Sequence, residues 1–264
     1  MIGSNGGLIG AARTPSFSKE SGLWTPSEHA AYKSSGQWST DPYYRGGKTL
    51  MLLHMNGANN STTFPDSSTY ATTVSANGNA KISTTESKFG GASAYFDGTG
   101  DFLTAGTSSL FDLSRDIYTF ELWLRPAAFP ASGNNCRLIM FGSNGVASSY
   151  IALSFDSTGA ITSGIPFGGT SGLSGSTALT LNTWQHYAVT LNGANSKMFL
   201  DGVQIASGTI TQPTALNNSL RIGYDTVGTV NFNYNGYIDE LRITRGVALY
   251  TSNFTPPAAP FPDA

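Results

Sequence analysis

The sequence predicts an all-β fold: a two-sheet antiparallel sandwich preceded by an extended N-terminal arm that contains one short helix. Three observations carry this expectation. From Lys48 onward, short apolar runs are separated by turn residues about eight to twelve positions apart, the spacing of sandwich strands. Charged residues make up only 11% of the 264-residue chain and glycine fills 31 positions, against usual fractions of about 25% and about 7%; many short strands joined by tight turns give such a profile. The closing segment, residues 236–244, alternates Tyr237, Asp239, Leu241 and Ile243 with Ile238, Glu240, Arg242 and Thr244. A period of two suits a strand and excludes an amphipathic helix. With aromatics at 12% and a net charge of only -2, the chain has the means to build a core and does not read as disordered.

Taken in order, residues 1–48 form the arm, Gly-rich and then Ser/Pro-rich, with one compact signal in TPSEHAAYKSSG. Thr25 caps, Pro26 suits the first helical position, Glu28 closes a capping box and Gly36 stops the helix. A helix of about two or three turns is too short to stand alone in water. Trp24, Tyr32 and Trp38 therefore dock, either on this chain's own sandwich or on a neighbouring subunit. Residues 49–264 form the sandwich. TLMLLHMNG is its first strand, followed by strands at 69–74, 80–84 and 93–96, and FDGTGDFLT reads as a hairpin whose glycines supply positive φ. A single helical turn falls at 108–113. The strands YTFELWLRP, RLIMFG, SYIALSFD, TWQHYAVTL, SKMFLDG, VQIASG and SLRIGY follow, with a tight turn at Asp201-Gly202, and then the closing strand. Beyond it, Pro256, Pro257, Pro260 and Pro262 remove ladder donors and fix an extended strap or tail.

The pieces LLHMNG, TTFPDSS, KFGGASAYFDGTGDFL, YTFELWLRP, TWQHYAVT, FLDG and GYIDELRITRGVALYTSNFTPP, in that order, resemble the laminin-G-like, concanavalin-A-like lectin/glucanase modules of tailed-phage virion proteins, over nearly all of residues 49–262. The leader, GLIGAARTP followed by SGLWTPSEHAAYKSSGQW, is similar to segments that precede such modules in structural proteins of marine tailed phages, over a shorter stretch. The resemblance implies a jelly-roll-like sandwich that binds glycan or protein partners, often with a structural calcium. It also implies a place on the virion surface, as capsid decoration or tail appendage. The arm, through Trp24, Tyr32 and Trp38, would then contact other virion proteins in a homo-oligomer. In related sandwiches a late-strand aspartate holds the ion together with carbonyls of the first strand, and Asp239 is the match here.

Several function classes are excluded or weakened. A near-neutral chain without an aromatic-interleaved basic run lacks the field for nucleic-acid binding. Cys136, the single cysteine, forms no intrachain disulfide and belongs to no CxxC site. The segment MIGSNGGLIGAARTPSF has no continuous apolar stretch, so no secretory signal is expected, and no run approaches the about 18 apolar residues of a membrane span. A glycosidase needs two carboxylates facing across a groove. The five glutamates, Glu20, Glu28, Glu86, Glu121 and Glu240, lie in no catalytic run. His29, His54 and His186 lack zinc spacing, and there is no GxSxG elbow. The chain is expected to be non-enzymatic. Asp66, Asp97, Asp101 and Asp239 offer hard oxygen ligands at strand ends, although Asp97 and Asp101 read equally well as turn residues.

Strand alternation gives the candidate glycan surface. If Phe120, Leu122 and Leu124 face the core, then Glu121, Trp123 and Arg125 face away from it. If Tyr187, Val189 and Leu191 face inward, Trp184, His186 and Thr190 lie opposite. In the third strand Ile151, Leu153 and Phe155 go in and Tyr150 goes out. Glu121, Trp123, Arg125, Tyr150, Trp184 and His186 would then stack and hydrogen-bond sugars, such as host surface polysaccharide. The alternative is that the leader or the proline-rich strap covers these aromatics, which would make them structural.

Overall fold

The computed structural model describes residues 47–105, 109–111, 117–142, 150–164, 172–210, 220–224, 226–227 and 230–263. The chain divides into two units, Met1–Tyr44 and Arg45–Ala264, and all described residues belong to the second. The expected helix at 25–36, with Trp24, Tyr32 and Trp38, lies outside the described residues.

In chain order the strands are β1 (Lys48–Leu53), β2 (Val74–Asn77), β3 (Lys81–Ser83), β4 (Ser93–Asp97), β5 (Phe102–Ala105) and β6 (Tyr118–Pro126). Next come β7 (Asn135–Gly142), β8 (Tyr150–Asp156), β9 (Ala160–Gly164), β10 (Leu173–Ala178), β11 (Gln185–Asn192) and β12 (Asn195–Leu200). The last are β13 (Val203–Thr209), β14 (Leu220–Ile222), β15 (Thr226–Val227), β16 (Val230–Asn231) and β17 (Asn235–Arg245). A single 3-10 turn, Ser109–Phe111, is the only helical element among the described residues. The first sheet runs β13-β12-β11-β6-β17-β4-β3, and β1 also pairs with β17; the second runs β10-β9-β8-β7-β14-β5-β2. The pairings within both sheets are antiparallel. The fold is the all-β two-sheet sandwich that the sequence predicts.

The core lies between the sheets and follows the alternation. Phe120, Leu122 and Leu124 of β6, Tyr187, Val189 and Leu191 of β11, and Ile151, Leu153 and Phe155 of β8 are buried in one apolar cluster. Phe120 and Phe111 both pack on Phe141, at 5.5 and 5.7 Å between ring centroids. Truncating such a ring to Ala costs about 3–5 kcal/mol.

Three features differ from expectation. FDGTGDFLT is no hairpin, because β4 belongs to the first sheet and β5 to the second. The Gly-rich turn carries the chain from one layer to the other. Asp101 clips it, taking the amide of Asp97 on one carboxylate oxygen and that of Asn79 on the other. The strand expected at 69–74 starts only at Val74. Upstream, Asp66 accepts the amides of Leu52, Ser68 and Thr72 at 2.8–2.9 Å and gathers that stretch into a turn. Finally, β17 does not alternate throughout: its register on β6 slips between Asp239 and Arg242. Glu240 sits there at φ 48°, a conformation L-residues adopt rarely. The extra residue of this bulge lets Ile238 and Ile243, five positions apart, both enter the core. Short strands β9 and β10, built largely from Ser, Gly, Thr and Ala, carried too little apolar pattern to be read.

Candidate functional site

The outer face of the first sheet carries a cluster of interacting polar side chains, and it has a closed half and an open half. In the closed half, register sets His186 of β11 beside Trp123 of β6, with Asp239 of β17 on the other flank of Trp123 and Arg242 beside Glu121. Arg242 donates to Glu121 Oε1 from Nε at 2.8 Å and from Nη2 at 2.6 Å. The Tyr250 hydroxyl donates to Oε2 at 2.6 Å. His186 Nε2 comes within 3.3 Å of the same oxygen but off alignment, so both ring nitrogens are buried without an aligned partner. Burial pushes the Glu121 carboxyl up, but His186, the Arg242 charge and Tyr250 together outweigh it and hold it below the usual range.

The C-terminal strap closes this half. Leu249 N donates to Thr119 Oγ1 at 2.9 Å, Thr190 Oγ1 donates to the Tyr250 carbonyl at 3.1 Å, and Phe254 N donates to the Gly202 carbonyl at 2.9 Å. The Tyr250 and Phe254 rings stack at 3.6 Å and meet His186 and Phe199 edge-on. Further on, Phe261 lies 4.0 Å from the Arg242 guanidinium and its amide donates to Glu240 Oε2 at 2.8 Å. At the end, His54 bridges Glu240 and Asp263 at 2.8 and 3.0 Å. Trp123 is covered separately: Lys88 Nζ sits 3.8 Å over its ring, and Phe89 meets its edge.

The expected glycan surface is therefore corrected in two respects. Glu121, Trp123 and His186 do leave the core on the outer face, but they are 0%, 5% and 0% exposed, so no sugar reaches them while the strap and the Lys88–Phe89 loop are in place. Tyr150 opens β8, which lies in the second sheet, whereas β6 and β11 lie in the first. Trp184, just ahead of β11, is half-buried, and its indole N–H has no hydrogen-bond partner among the described residues.

Asp239 does not fit a calcium ligand. Its Oδ2 accepts the amides of Lys88 and Phe89 at 2.8 and 3.0 Å, and its Oδ1 accepts that of Glu240 at 2.9 Å. Oδ2 is filled by two amide hydrogens and Oδ1 takes one, which leaves at most one lone pair of the carboxylate for a cation. Burial pushes its pKa up to about 7. No group of three or more His, Cys, Asp or Glu among the described residues is placed to hold a metal.

The open half lies toward β3. Cross-strand register sets Lys81 opposite Tyr95, Tyr95 opposite Tyr237, and Tyr237 opposite Arg125, forming one row across four strands. All four are partly exposed. The tyrosine rings lie 5.1 Å apart, and the Arg125 guanidinium is 5.8 Å from the Tyr237 ring. Arg125 is held by Glu86 at 3.1 Å and by Asn182 Oδ1 at 3.2 Å. At the other end, an open depression of about 490 Å³ is lined by Asn60, Thr62, Asn79, Lys81, Tyr95 and Asp97, among others. Of this row, only Arg125 was a candidate from sequence. The alternation of SAYFD, with Ala94 and Phe96 buried, was the signal that would have turned Tyr95 outward.

Fold and surface together define an antiparallel two-sheet β-sandwich, and no helix among the described residues is long and apolar enough to cross a membrane. The chain belongs to the concanavalin A-like lectin/glucanases superfamily, whose laminin G profile matches residues 96–249. No curated protein matches it. Among solved structures it is similar to the binding domain of Paraclostridial mosquitocidal protein 1, at 15% identity and TM-score 0.59, covering 79% of this chain and 50% of that one. Domain 4 of AbnA, a GH43 extracellular arabinanase from Geobacillus stearothermophilus solved in complex with arabinotriose, is similar at 20% identity and TM-score 0.56, covering 78% and 96%. The botulinum neurotoxin serotype G binding domain is similar at 16% identity and TM-score 0.56, covering 74% and 47%. The chain spans about half the length of the two toxin domains. At these identities the likeness is one of fold.

Proposed function

We propose that this chain is a non-enzymatic glycan-binding sandwich that holds saccharides along the open row Lys81–Tyr95–Tyr237–Arg125. The observation that carries the reading is the partly exposed Tyr95–Tyr237 ring pair flanked by a cation at each end. Sugars present apolar C–H faces to rings and hydroxyls to charged and amide groups, and a binding surface with a few placed polar groups meets both needs. Support comes from membership of a lectin-bearing superfamily and from the arabinotriose bound by the similar AbnA domain. Glu121 and Asp239 are buried and engaged by donors, which argues against either serving as one of the two groove-facing carboxylates that hydrolysis needs. A glycan array with the full chain tests the reading. Tyr95→Ala is expected to weaken any hit about tenfold or more, the loss of one good stacking contact and its hydrogen bonds. An unchanged affinity would remove the row from the site.

A second reading places the module on a virion, as capsid decoration or tail appendage, with the arm anchoring it to other virion proteins in a homo-oligomer. It rests on the order of leader and module in the sequence. Deleting residues 1–46 is expected to leave a folded sandwich that no longer joins the particle. Normal incorporation would refute the anchoring role of Trp24, Tyr32 and Trp38.

A further inference from the structure

The two ends of the open row differ in a way that names the ligand. Arg125 is already committed, with Glu86 and Asn182 as partners. Lys81 lines the depression and, among the described residues, has no ion-pair or hydrogen-bond partner for its ammonium group. Asp97, in the same depression, makes no ion pair with it among the described residues: one Asp97 oxygen takes the Thr99 amide at 2.7 Å and the other the Asn79 side-chain amide at 3.2 Å. A partly exposed lysine with no ion-pair partner, beside a tyrosine ring and neutral Asn60 and Thr62, offers one cation to a ligand, with Asp97 held by its own donors.

We propose that the depression binds the anionic group of an acidic oligosaccharide, a carboxylate or sulfate on a sugar, with Lys81 as its counter-charge and Tyr95 stacking under the same or the adjoining ring. This rests on the glycan-binding reading of the row and specifies its polarity. The acidic group lies at the β3 end, and the chain of sugars continues over Tyr237 toward β6. Three inter-strand steps span about 14 Å, which calls for an oligosaccharide rather than one ring. Asn60 and Thr62 supply hydroxyl-directed hydrogen bonds. Asp97, with its remaining lone pairs, accepts from a sugar hydroxyl and disfavours a second anionic group in the depression.

The test uses the full chain in affinity electrophoresis and calorimetry against polygalacturonate, dextran sulfate and neutral dextran, at low and high salt. Retention by at least one acidic polymer, weakened by salt and reduced about tenfold or more by Lys81→Gln, is expected. Which polymer is retained distinguishes carboxylate from sulfate. Tyr95→Ala should abolish the same retention, and near-UV circular dichroism of both variants confirms folding. Binding of the acidic polymers that ignores Lys81→Gln overturns the inference. So does failure of all three polymers. If neutral glycans on the array still bind in a Tyr95-dependent manner, the glycan-binding reading survives while its acidic specificity falls. If no glycan binds and Tyr95→Ala changes nothing, both fall together.

Discussion

At the scale of single residues, the carboxylates of this sandwich are mostly committed to holding backbone or partner side chains in place. Asp66, Asp101, Asp201 and Asp239 each accept one or more main-chain amides. Glu121 differs in holding side chains: Arg242 and Tyr250 converge on it where it is wholly buried. Removing one partner of a buried ion pair leaves the other uncompensated, at a cost of about 3–5 kcal/mol. Glu121→Ala is therefore expected to lose about that much stability in urea unfolding, while Glu121→Gln, which keeps an acceptor for one donor, loses less. Equal stability of Glu121→Ala and wild type would show that Arg242 and Tyr250 find other partners. The outward position of Glu121 was legible from the period-two pattern of YTFELWLRP. Its burial was not, because the hydroxyl that closes over it belongs to Tyr250, 129 residues later in the chain. Local pattern reports which face a side chain leaves by, and only the fold reports what lies above that face.

At the scale of elements, the strap is held by scattered hydrogen bonds, most of them through side chains and one from the Phe254 amide to the Gly202 carbonyl, rather than by a β-ladder. The prolines made its extended path legible, but not its course over β6, β11 and β12. The sheet crossing at Asp97–Asp101 was hidden for a related reason: a Gly-rich turn has the same local sequence whether it reverses a strand or passes between layers. One glycine fixes where the strap sits. Gly202, at φ 77° in the β12–β13 turn, accepts from the Phe254 amide, and a Cβ there would collide with the Phe254 carbonyl. Gly202→Ala must move the strap or strain the turn, and overpacking of this kind costs about 1–3 kcal/mol. The variant is expected to melt lower and to be cut faster within residues 247–263 by a broad-specificity protease, with the sheet strands still protected. A cleavage pattern identical to wild type would show that the strap is not seated through this contact.

At the scale of the whole molecule, a net charge of only -2 leaves little global repulsion to vary with pH, so the shifted groups set the pH dependence. Burial raises Asp239 from 3.8 to about 7. The folded state therefore holds a proton that the unfolded chain releases at lower pH, and the associated stability is lost as pH rises toward 7. Burial alone would lower His54, but its bonds to Glu240 and Asp263 outweigh that and raise it above 6.5. Its contribution is complete below 6.5 and is lost as pH rises through the folded value, which loosens the end of the strap. Glu121 acts in the opposite sense. Although burial opposes it, the net shift is below 4.5, so its contribution is present above 4.5 and is lost only as pH falls through the folded value. These signs predict maximal stability on the acid side of neutrality and a decline between about pH 5 and pH 8. Urea midpoints across that window measure it. Asp239→Asn, whose side-chain oxygen keeps the Lys88 and Phe89 amides as donors, should flatten the lower part of the decline, and His54→Gln the part above 6.5. A wild-type midpoint that rises steadily from pH 5 to pH 8 would contradict the assignment of Asp239 and His54 as the groups that hold protons in the folded state.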